Sequence, residues 1–166
     1  MVLAASLGKL GYHDIVMPRY GKVWGKSRTE HVSRQKGKAW AALTQPGDVL
    51  IGHSNGGRIA WEMSYNSEVV KRIILLHPAL DHYLVPHRSV EKFWVFYNQW
   101  DKATRMARFI PWSDWGDMGR VGYDHNDDGL WNDPRYCGVD IGRGHTPFID
   151  PVEADTYAMT IAACLH

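Results

Sequence analysis

A chain of 166 residues holds one domain with a sizeable core and is too short for two comfortable ones. Its 19 Lys and Arg against 18 Asp and Glu give a formal charge of +1, so nothing in the charge balance calls for nucleic acid or an acidic membrane as a partner. Cys137 and Cys164 form no close-spaced metal or redox motif, no apolar run is long enough to cross a bilayer, and Met1–Leu7 lacks the basic flank of a signal peptide, so the expectation is a cytoplasmic protein.

Taken in order, Met1–Leu10 reads as a short strand or the last turns of a helix, with Gly8 and Gly11 as stop signals. His13–Met17 has the composition of a strand that Pro18 ends, and Arg19–Lys26 is a loop broken by Gly21 and Gly25. Ser27-Arg28-Thr29-Glu30 matches a capping box, opening a helix that runs to about Leu43 with Val32, Ala39, Trp40 and Leu43 as an apolar stripe. The Arg and Lys residues between Arg19 and Lys38 read as a solvated face. Val49–Ile51 is a strand, and a helix follows over Gly57–Tyr65.

Val69–Leu76 is apolar on both faces at its end, the pattern of a parallel strand covered by helices on both sides. His77–Val90 is a short polar connection, Lys92–Tyr97 a β-branched and aromatic strand, and Lys102–Phe109 a helix. Pro111–Tyr136 reads as a long loop packed by its tryptophans. Gly138–Ile141 is a last short strand. Asp150, Pro151 and Glu153 then start a helix as N-cap, first helical residue and third-position acid, with Tyr157, Ala158, Ile161, Ala162 and Leu165 as its buried face. Strands alternating with helices, without an internal repeat or linker, predict one α/β domain over residues 1–166. Its layers would be αβα around a mostly parallel sheet.

The chemistry concentrates in Gly52-His53-Ser54-Asn55-Gly56-Gly57, where a strand runs straight into a helix. Glycines on either side leave room for a sharp turn that projects the Ser54 hydroxyl from the sheet end. The Asn55 amide, at the helix N-terminus, is placed to donate to a developing oxyanion. A serine hydroxyl is a weak nucleophile and needs a base, which needs an orienting acid. In a parallel sheet both should follow later strands. Asp101 lies just past the strand ending at Tyr97, and His145 lies just past Val139–Ile141. Among nine histidines, the position of His145 between Gly144 and Pro147 sets it above His53, His77, His82, His87 and His125. His53 reads as a residue lining the site.

In Gly52–Gly57, in Asn98-Gln99-Trp100-Asp101 and in Gly144-His145-Thr146-Pro147-Phe148, in that order, the sequence resembles the α/β-hydrolase family, and Gly11–Met17 is similar to its fourth strand. The resemblance implies a carboxylesterase-like serine hydrolase working through an acyl-enzyme, with no cofactor and no metal. Ser54 would be the nucleophile, His145 the general base and Asp101 its partner, with Asn55 in the oxyanion hole and His53 and Trp100 against a small ester or acyl substrate. The short His77–Val90 connection leaves no room for a lid domain. The family's loop after its third strand, which gives the second oxyanion donor, is not present in its usual form. Loss of one such donor typically lowers the rate on the order of a hundred- to a thousand-fold. That shortened N-terminal side implies an exposed sheet edge that a second copy would cover as a homodimer. It also keeps open an α/β-hydrolase-like binding protein without catalysis.

One further pattern competes. Asp124-His125-Asn126-Asp127-Asp128-Gly129 matches the first half of a calcium loop, but its twelfth position is Arg135 where a bidentate Glu is needed, so a polar turn is the expected reading. Asp81, His82 and His87 have no metal-ligand spacing.

Overall fold

The computed structural model describes residues 2–16, 30–107, 115–123, 133–142, 144–146 and 149–166. These residues form two compact units, residues 1–21 with 146–166, and residues 22–145.

The larger unit is built on a four-stranded, all-parallel sheet of β1 (Val49–His53), β2 (Arg72–Leu76), β3 (Lys92–Tyr97) and β4 (Tyr136–Asp140), in the order β1-β2-β3-β4. The register aligns His53 with Leu76, Leu76 with Phe96, and Tyr97 with Asp140, so all four strands deliver their carboxyl ends to one edge. Parallel strands need long crossovers, and those crossovers cover the sheet. β2 and β3 accordingly bury Ile73–Leu76 and Phe93–Phe96, while β1, an outer strand, leaves Ile51 39% exposed. Trp61, Val70, Ile73, Leu75, Val90, Phe93, Val95 and Met118 make the core on one face.

Two helices of this unit, α2 (Glu30–Ala41) and α3 (Asn55–Tyr65), pack on each other, and α3 lies on β1 and β2. Their close approach depends on Gly37, where a Cβ would overlap the Cβ of Glu62 and stand 3.0 Å from its carbonyl carbon. α4 (Lys102–Ala107) and the single turn α5 (Met118–Val121) follow β3. In the smaller unit α1 (Val2–Lys9) packs on α6 (Pro151–Leu165). Asp150 caps α6 by accepting from the Val152 and Glu153 amides at 2.9 and 3.3 Å, and Ala154, Tyr157, Ala158 and Ile161 are its buried face. No helix among the described residues is long and apolar enough to cross a membrane.

The expected α/β class and the strands after Val49 are found. Three expectations change. Residues 13–16 form no strand: a strand exists only through a ladder, and this segment has none among the described residues, with Val16 83% exposed. Within the long loop expected over Pro111–Tyr136, residues 118–121 are helical and Tyr136 already opens β4. The capping Ser27 and the Asp124–Gly129 pattern lie outside the described residues. Arg135, the twelfth position of that pattern, is held elsewhere by described partners. Its guanidinium pairs with Asp133 at 2.7 Å and donates to the carbonyls of His87 and Val90, both at 3.1 Å.

Gly37→Ala distinguishes packing from propensity. At an exposed helical site the change gains up to about 1 kcal/mol, whereas overpacking at a close helix contact costs about 1–3 kcal/mol. Urea unfolding is expected to show the variant less stable than the parent.

Candidate active site

Ser54 is the residue between β1 and α3, and its backbone is at φ 53° and ψ −121°, outside the regions an L-residue adopts without cost. The neighbouring loops hold it there. The Ser54 amide donates to Leu76 O at 2.9 Å, and its carbonyl accepts from the amides of Gly57 at 3.0 Å and Ala79 at 3.1 Å. Arg58, buried in α3, ties the same loop down by donating from Nε to Ala79 O at 3.1 Å. Gly52 cannot be replaced within this turn, because a Cβ there would stand 2.5 Å from Gly56 O and 2.6 Å from Gly57 Cα. The Ser54 side chain does not cap the helix it precedes. The hydroxyl of a turn-forming serine would ordinarily do so. Asn55 is the first residue of α3, is buried, and accepts a long bond from Ser33 Oγ at 3.4 Å on its side-chain oxygen.

Asp101 and His145 meet. Asp101 Oδ2 accepts from His145 Nδ1 at 2.7 Å, with Asp101 fully buried. A carboxylate can only accept, so Nδ1 carries the proton and Nε2 presents a lone pair. Asp101 is itself fixed: its amide donates to Asn98 O at 2.9 Å, and its Oδ1 accepts from the Ala103 amide at 2.9 Å as α4 begins. Asn98 is buried at the end of β3 and accepts from the Trp100 amide at 2.9 Å. These bonds make the 98–103 turn a rigid holder for one carboxylate.

His53 plays a part that its place in the motif does not announce. Its ring lies 4.8 Å from that of His145, and its Nε2 is 3.0 Å from His145 O. The carbonyl accepts, so His53 Nε2 donates, and the ring braces the backbone of the His145 loop from the residue next to Ser54. Burial, reinforced by the neighbouring His145, pushes the His53 imidazole down to about 3, and the bond to the His145 carbonyl only partly opposes the shift.

His77, ranked below His145 from the sequence, and Trp115, one of the tryptophans expected from Trp100 to Trp131 as an apolar wall, complete the cluster. His77, fully buried, follows β2 with φ 45°, and its Nδ1 stands 3.4 Å from Asp101 Oδ2. Trp115 stacks on the His145 ring at 6.4 Å and 26°. Trp100, the tryptophan expected against substrate, stands 70% exposed on the turn before Asp101. His77, Asp101 and His145 offer donor atoms within 4.8 Å of one another. Ligands about 2.0–2.2 Å from a tetrahedral zinc stand about 3.3–3.6 Å apart, and the 2.7 Å between His145 and Asp101 is a hydrogen-bond length instead. His82 pairs with Asp117 at 2.6 Å in a separate contact.

Compared with known proteins, the chain matches no family model, no curated protein and no solved structure.

The depressed His53 titration fixes the sign of one pH effect. Unfolded His53 takes up a proton below about 6.5 while the folded ring stays neutral to about 3. The unfolded chain therefore binds more protons in that window, and stability falls as pH drops from 6.5, by up to about 1.4 kcal/mol per unit from this group. His53→Gln keeps a side-chain N–H but removes the titration. Urea unfolding at several pH values should show a shallower acid slope in that variant by up to one proton.

Proposed function

We propose that the chain is a serine hydrolase of the α/β-hydrolase kind, with Ser54, His145 and Asp101 as its triad. The observation that carries the reading is the combination of Ser54 in a strained strand-to-helix turn with a His145–Asp101 bond of 2.7 Å in the same compact unit. The chain order serine, aspartate, histidine is that of a nucleophile elbow. The sheet and its covering helices correspond, in this reading, to a three-layer αβα sandwich.

The chemistry follows from which nitrogen holds which proton. Asp101 keeps the His145 proton on Nδ1, so Nε2 is free to take the Ser54 proton as Oγ attacks an acyl carbonyl carbon. The carbonyl oxygen becomes an oxyanion, and the Asn55 amide at the start of α3 is the donor the elbow offers it. Collapse of the tetrahedral intermediate breaks the bond to the leaving group, which takes the proton from His145 Nε2, and leaves the acyl group on Ser54. Water then attacks that ester, giving its proton to Nε2, and the acid departs as Oγ recovers the proton. Asp101 stays ionised throughout and offsets the imidazolium charge. The His53 bond to the His145 carbonyl holds the base at its station without exchanging protons. Esters of small acids are the substrate class we assign, with the Trp115 ring beside His145 as an apolar surface.

A fluorophosphonate probe reacts preferentially with an activated serine. The expected result is labelling of the parent, none on Ser54→Ala, and a rate lowered on the order of a thousand-fold or more on His145→Ala. Labelling that survives Ser54→Ala would contradict the assignment, and an unlabelled, folded parent would favour a binding protein that keeps the elbow without the catalysis.

A further inference from the structure

We infer that His77 is a positioning residue for Asp101, a second imidazole that holds the carboxylate in the orientation His145 requires. The inference rests on the hydrolase reading for its kinetic part but not for its spectroscopic part.

The argument begins with a cost. Taking a carboxylate out of water is unfavourable unless its lone pairs are met by donors. Asp101 has no solvent exposure. Its Oδ1 accepts from the Ala103 amide, and its Oδ2 accepts from His145. That second bond comes from a ring that must rock and change charge during a reaction, so it is a poor anchor for the carboxylate by itself. His77 Nδ1 stands 3.4 Å from the same Oδ2 in a fully buried position, a charge–dipole contact without hydrogen-bond geometry, and its ring lies 5.7 Å from the His145 ring. With its proton on Nδ1, His77 faces the carboxylate with the polarity the charge needs.

The backbone at His77 is held as firmly as a positioning role demands. Its φ of 45° lies in the left-handed region, which is strained for a non-glycine residue. Ser54 and His77 are the two non-glycine residues with positive φ among those described, and they stand at the carboxyl ends of the adjacent strands β1 and β2. Three contacts keep it there. The His77 amide donates to Phe96 O at 2.8 Å, the Gly119 amide donates to Pro78 O at 3.1 Å, and a Cβ on Gly119 would stand 2.6 Å from the His77 carbonyl carbon. Gly119 O in turn accepts from the Asn98 amide at 3.1 Å, at the start of the turn that carries Asp101. The backbone of His77 and the turn of Asp101 are thus locked to one α5 glycine, and the imidazole spans what remains between them. Strain of this kind persists where the surroundings over-determine it, and it concentrates at functional sites.

Asparagine separates positioning from simple filling of space. Its side-chain nitrogen stands one bond beyond Cγ, as Nδ1 does in histidine, and asparagine tolerates the left-handed region. His77→Asn therefore keeps the donor and the backbone, His77→Leu keeps bulk without a donor, and His77→Gly keeps the backbone with neither. Circular dichroism and urea unfolding establish which variants fold, and the glycine variant serves if the leucine variant does not.

The first readout is the low-field proton of the His145 Nδ1–H bound to Asp101, followed by NMR with His145→Ala to assign it. This resonance is expected to stay near its parental position in His77→Asn and to shift or broaden away in His77→Leu and His77→Gly. The second is fluorophosphonate labelling together with ester hydrolysis. The leucine and glycine variants should lose on the order of tenfold in labelling rate and kcat, with KM unchanged, and the asparagine variant should recover most of the loss. An unmoved resonance in a folded donorless variant, or equal losses in asparagine and leucine variants, would overturn the inference. If Ser54→Ala shows no loss of labelling, the hydrolase reading fails, and the resonance still decides the role of His77.

Discussion

A carboxylate with no access to water is the constraint on which the rest of the larger unit turns. Asp101 is fully buried, and the surroundings must supply from the protein what water would otherwise give. The 98–103 turn contributes through the Ala103 amide and fixes the main chain through Asn98, and the imidazole of His145 donates to Oδ2. Each partner comes from the carboxyl end of a strand or the turn beyond it. The all-parallel order β1-β2-β3-β4 brings those ends together, so the topology and the charge explain each other. An antiparallel neighbour would have sent one of these turns to the opposite edge.

Strain and rigidity sit side by side at that edge. Ser54 and His77 both occupy unfavourable backbone regions, and both are held by hydrogen bonds to the next strand out: Ser54 to Leu76, His77 to Phe96. The strained residues are thereby extensions of the sheet ladder, which over-determines them. Glycines at 52 and 119 make this possible because each admits backbone where a Cβ could not fit. His53 adds the last tie. A ring pushed to about 3 remains a neutral donor across the physiological range, so its bond to the His145 carbonyl does not switch with pH.

What was legible in the sequence was whatever depends on local chemistry. β2 could be read because it is apolar on both faces, β3 because it is β-branched and aromatic, and α6 because Asp150, Pro151 and Glu153 signal its start in three ways. Ser54, Asp101 and His145 could be grouped because one motif and chain order narrow the choice of partners. What escaped depends on neighbours distant in sequence. Residues 13–16 have strand composition, yet strand pairing is a property of two segments and not of one. The four-residue α5 is too short for any periodicity to show. His77 looked like the first residue of a loop after an apolar strand, and its nearness to Asp101 arises only once β2 and β3 are in register. Trp100 and Trp115 are equally apolar on paper, and burial alone separates the exposed ring from the one stacked on His145.

The central claim is that Ser54 becomes covalently acylated, and the most direct measurement is rapid mixing with a short p-nitrophenyl ester. The account predicts a burst of p-nitrophenolate approaching one equivalent per chain, with the acyl group found by mass spectrometry on the peptide containing Ser54. A linear release with no burst is compatible with rapid deacylation only if the trapped acyl group is still found on Ser54. Acyl transfer to any other residue, or none under conditions of turnover, would contradict the account.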